Sequence, residues 1–126
     1  MRYWILDRDE TPQGLPLLEL VRRVRTLVPD ESLPWHVTKA RGYGERVVEL
    51  DEILDREMEV LVDPEEIERL AAGREEWFYD FSVQTPDRKL ILGLHDSTAL
   101  FVEGDDEIAR SIAATFARFR PAEPSC

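Results

Sequence analysis

Apolar positions change their spacing several times along this chain, and each change predicts an element. Tyr3 to Leu6 is a short apolar run that reads as a strand, and Asp7 to Gly14, with Pro12 and Gly14, reads as a turn. Leu17, Leu18, Val21, Val24 and Val28 then recur at helical spacing, which predicts a helix over 15–28 ended by Pro29 and Pro34. The alternation in "WHVTKA" (35–40) predicts a strand, with "RGYGE" (41–45) as a connector. Over 45–57 two readings stay open: Val47, Leu50 and Leu54 suit an amphipathic helix, whereas "RVVEL" also suits a strand. Met58 to Val62 is β-prone, after which Asp63 as N-cap, Pro64 at the first helical position and Gly73 as stop predict a short helix.

The C-terminal half alternates more plainly. Trp77, Tyr79, Phe81 and Val83 fall on one face of a strand, "TPDRK" is a turn, and "LILGLH" and "TALFVEG" flank a tight Asp96-Ser97 turn. Residues 77–103 therefore form a three-stranded antiparallel meander. Asp105, Asp106 and Glu107 suit the positive end of a closing helix over 105–119, with Ile108, Ile112, Phe116 and Phe119 along one side. The expected fold is a single α+β domain spanning 1–120. Its antiparallel meander packs against helices 15–28 and 105–119, with further short strands and helices between, and 121–126 form a flexible tail.

Composition narrows the setting. The chain has 126 residues, 43% of them hydrophobic, which suffices for one core without metal or disulfide staples. Its one cysteine, Cys126, cannot form an intramolecular disulfide. No apolar stretch approaches the roughly 20 residues of a membrane helix, and Arg2 and Asp7 interrupt any signal-like N-terminal run. A cytoplasmic protein without membrane contact is expected.

The formal charge is −11, and eleven Asp and Glu residues lie between Glu45 and Glu68 against only Arg46 and Arg56. Such a field repels nucleic acid phosphates and favours a basic partner. Glu49, Glu52, Asp55 and Glu59 recur at three- and four-residue steps, so on a helix they form one acidic ridge. The ridge lacks the histidine that many transition-metal sites use, which leaves a solvated face or a face for a basic partner. His95, beside Asp96 and Ser97 at a hairpin tip, is a further candidate contact. Those three consecutive residues point different ways and cannot relay one proton as a hydrolase triad does.

"DRDET" (7–11) carries a second line of chemistry. A strand ending in Asp-x-Asp-x-Thr resembles the first motif of haloacid dehalogenase-type phosphohydrolases. The resemblance implies Asp7 as nucleophile and Asp9 as acid and base. It extends in order to Thr38 after the strand "WHV", to Lys89 as the charge-shielding lysine, and to "LFVEGDD". It implies Mg²⁺ held by Asp7 with Asp105 or Asp106, and a sheet in which the acidic motif's strand runs parallel to the first. The fourteen residues between Lys89 and Gly104 read instead as two strands about a turn, with no room for a crossover helix. An EF-hand reading of the same stretch fails, because Pro12 and Leu18 stand where glycine and glutamate are needed. Taken together, the residues favour a non-enzymatic protein-binding or regulatory domain without a cofactor, of the inhibitor or immunity type, for a basic partner.

Overall fold

A computed structural model describes residues 1–122, so 123–126, most of the expected tail, lie outside the described residues. The elements in chain order are β1 (Arg2–Ile5), α1 (Leu17–Arg25), β2 (Trp35–Tyr43), α2 (Glu45–Leu54), β3 (Val60–Val62), α3 (Pro64–Ala71), β4 (Trp77–Gln84), β5 (Leu90–His95), β6 (Ala99–Gly104), α4 (Asp106–Ala113) and β7 (Phe119–Pro121). The seven strands form one sheet in the order β3-β2-β4-β5-β6-β1-β7, and every neighbouring pair is antiparallel. The protein is an α+β fold whose β4–β5–β6 meander lies at its centre.

Register explains how the sheet acquires two unlike faces. One row across it reads Val60, Val37, Val83, Leu92, Val102, Tyr3, and all but Val60 are buried. That row joins Leu20 and Val24 of α1, Val47 and Leu50 of α2, Ile67 and Leu70 of α3, and Ala109 and Ile112 of α4 in one core cluster. The adjacent row points the other way because strand side chains alternate. It reads Lys39, Ser82, Gly93, Phe101, Trp4, Arg120, and none of these belongs to that cluster. All four helices thus cover one face, and the opposite face is open.

Several boundaries differ from the sequence expectation for physical reasons. The stretch over 45–57 is a helix through Leu54. Strand β2 runs on to Tyr43, so 41–43 are ladder and not connector. The closing helix ends at Ala113 and not at 119, because Asp7 accepts hydrogen bonds from the N–H groups of Ala117 and Arg118 and turns the chain back. Phe119–Pro121 then pairs with β1, which also takes Pro121 out of the expected tail. Asp63 occupies the N-cap position of α3 with Pro64 after it, but its side chain makes no capping bond.

Two bulges interrupt the β2–β4 ladder. Thr38 is an extra residue on β2 between the pairs Val37–Val83 and Lys39–Ser82. Tyr79 is an extra residue on β4 between Arg41–Asp80 and Gly42–Phe78. The second bulge breaks the expected common face: Phe81 and Val83 point into the core, Phe78 joins them, and Trp77 and Tyr79 face outward.

Candidate functional site

The carboxylates and the threonine of the phosphohydrolase resemblance are dispersed and engaged. Asp7 Oδ2 and Oδ1 accept from the Ala117 and Arg118 N–H groups at 3.0 and 2.7 Å, beyond the C-terminal end of α4. Asp106, at the N-terminal end of the same helix, accepts from the Tyr3 hydroxyl at 2.6 Å, a bond that also raises the Tyr3 pKa. An eight-residue helix is about 12 Å long, so these carboxylates sit at its opposite ends. Asp9 closes an Asx turn by accepting from the Thr11 N–H and hydroxyl, and Asp105 caps α4 by accepting from the Ile108 N–H at 3.3 Å. Thr38 donates its hydroxyl to Ser82 O on β4. Strands β1 and β6 run antiparallel, where the resemblance implies parallel.

Lys89 and Asp105 do meet at one cleft of about 530 Å³ between the end of α1, the β4–β5 turn and the start of α4. Leu27, Val28, Leu90 and Ile108 give that cleft an apolar lining. Among the described residues, no group of three or more His, Cys, Asp or Glu side chains is placed to hold a metal ion.

The expected acidic ridge divides. Glu49 on α2 pairs with Arg46, and α2 ends at Leu54, so Glu59 leaves the helix and lies just before β3. There it accepts from Arg88 at 2.7 Å and lies 3.3 Å from His36 Nδ1. The Arg88 hydrogen bond is the main reason its carboxyl titrates below the usual range. Glu52 and Asp55 remain exposed with no ion pair among the described residues. The last turn of α2 holds no basic residue, and Asp51 and Glu57 add to the negative charge at that end. Beyond it Met58 is 92% exposed, and Val48 rises from the outer face of α2 four residues before Glu52.

His95 ends β5 on the open face, with its ring 5.7 Å from that of Trp4. Asp96 and Ser97 have φ values of 45° and 57°, the two left-handed positions of a type I′ hairpin turn, and the Thr98 N–H closes it onto His95 O. On the same face Phe101 is 4% exposed although no helix covers it. The Arg2 guanidinium lies 4.3 Å from its ring centroid, and Trp4 packs edge-on at 6.1 Å.

Sequence reasoning missed an outward aromatic cluster. Tyr43 at the end of β2 lies 5.3 Å from Trp77 and 6.0 Å from Tyr79 between ring centroids. Alternation placed Trp77 and Tyr79 on one face with Phe81 and Val83, the two that are buried. The available signal was Asp80, a charge inside the run "WFYDFSV", together with Gly42, which follows Asp80's partner Arg41 on β2; the two mark a place where the ladder cannot stay regular. Compared with known proteins, the chain matches no family model, no curated protein and no solved structure.

Proposed function

We propose that this chain is a non-enzymatic regulatory domain, of the inhibitor or immunity type, that binds a basic partner protein through the outer face of α2 and the turn after it. One placement carries the reading. Glu52, Asp55 and Glu57 crowd the C-terminal end of α2, where the helix dipole is negative, and Arg56, the one cation on that turn, makes no ion pair with them among the described residues. Carboxylates there oppose folding by a few tenths of a kcal/mol each, so the arrangement suits a role outside the fold's own stability. Val48 and Met58 set apolar contact surface beside the charges, the mixture that lets a complementary partner be steered by field and held by burial.

The test is a triple variant, Glu52→Gln, Asp55→Asn and Glu57→Gln. Affinity capture identifies the partner, and its association with both proteins is then followed at low and high salt. The wild-type rate is expected to fall steeply with salt, and the variant to associate at least tenfold more slowly while unfolding at a higher temperature. A rate indifferent to salt and to the three substitutions would refute the reading.

A further inference from the structure

We propose that two copies of this chain associate about a two-fold axis through the outward cluster of Tyr43, Trp77 and Tyr79. The fold departs from its own sequence pattern to build this cluster. Regular alternation would bury Tyr79 with Phe81, but the bulge at Tyr79 turns it and Trp77 out to the helix-free face, leaving Tyr43 58% and Tyr79 38% exposed. Bulges that re-aim side chains are functional devices more often than accidents, and tyrosine and tryptophan are enriched where proteins meet.

Charge identifies the occupant. Two copies of a chain carrying −11 repel one another over most of their surface, above all across α2. Beside the cluster both signs are present. Lys39 pairs with Asp80 at 3.6 Å, and Arg41 and Glu45 are exposed with no ion pair among the described residues. Arg41 stands two residues before Tyr43 and Glu45 two residues after it. A two-fold axis near Tyr43 therefore brings Arg41 of each copy toward Glu45 of the other, so one patch supplies both halves of its own complement, as an isologous interface requires. The rings supply the dry centre and the two ion pairs its rim.

The experiment is sedimentation of the wild-type chain from about 1 μM to about 1 mM. The expected mass is twice the 14.6 kDa of one chain at the upper end, falling toward one chain on dilution. Tyr43→Ser with Tyr79→Ser is expected to weaken association at least tenfold. Arg41→Glu and Glu45→Arg, both at exposed positions, are each expected to be monomeric alone. Mixed one to one, they should form a dimer, because across the axis every contact then joins unlike charges. Circular dichroism confirms that each variant is folded. A wild-type chain that stays monomeric throughout overturns the proposal. So does a dimer indifferent to both tyrosines, or a pair of charge variants that fail to recombine.

Discussion

Asp7 and Arg118 are joined by a 2.7 Å hydrogen bond from the Arg118 backbone N–H to the Asp7 carboxylate. The Leu6 N–H returns one to Arg118 O at the same distance. This reciprocal pair, with the bond from the Ala117 N–H, ends the path of α4 and delivers β7 to the edge of β1. Replacing Asp7 with alanine is expected to cost about 1–2 kcal/mol, the scale of a lost charged acceptor at a partly exposed site. Loss of β7 protection in hydrogen exchange would locate that cost. Neither wild type nor Asp7→Asn is expected to hydrolyse an aryl phosphate with Mg²⁺ present. Turnover abolished by Asp7→Asn would reinstate the nucleophile.

Glu68 ties α3 to α1 by accepting from Arg22 at 2.9 Å and from Arg25. Burial pushes its pKa up, but the hydrogen bonds from both arginines outweigh it and hold the carboxyl below the usual range. A depressed folded value means the contribution to stability is present above the ordinary glutamate pKa of about 4.3 and is lost as pH falls through the folded value. Glu68→Gln is expected to cost about 1 kcal/mol at neutral pH, with the gap to wild type closing toward pH 3. Urea midpoints at the two pH values measure it, and a gap independent of pH would contradict the assignment.

Gly42 allows the bulge. A Cβ built there would lie 2.0 Å from Trp77 O and 2.7 Å from the Phe78 Cα, backbone atoms that cannot swing aside. Gly42→Ala is expected to lose about 1–3 kcal/mol, as other overpacked sites do, and to shift the near-ultraviolet dichroism of the aromatic cluster. Unchanged thermal stability would mean that the ladder relaxes around the added methyl group.

His95→Ala is expected to change stability by less than about 1 kcal/mol, because the turn rests on the backbone of Asp96 and Ser97 and on His95 O, not on the imidazole. Partner capture should survive it. Lost binding at unchanged stability would instead place the imidazole in the interface.

How much of this could be read beforehand depended on range. The meander was legible because its turns are local chemistry: Thr85 and Asp87 bond one another across "TPDRK", and Asp96-Ser97 closes a two-residue loop. The helices followed from the spacing of residues such as Leu17, Val21 and Val24. Phe119 misled because it falls three residues after Phe116, so a helical stripe and a new strand look alike until Asp7, more than a hundred residues away, ends the path. The candidate carboxylates misled in the same way. Spacing shows Asp7, Asp9, Asp105 and Asp106 as free groups, but each is bound to the chain's own N–H or O–H groups.

The place of β1 also bears on how the protein is made. Its partners are residues 99–104 on one side and 119–121 on the other, so Tyr3 must wait for Val102 to be synthesised before it can pair at all. Until then both edges of the first strand are open, and the nascent chain depends on whatever shields "RYWI" from its neighbours. Contacts so distant in sequence make for slow closure of the sheet. A ribosome-bound chain halted before residue 99 is thus an aggregation hazard, and one that reaches β7 has its first strand sealed on both sides.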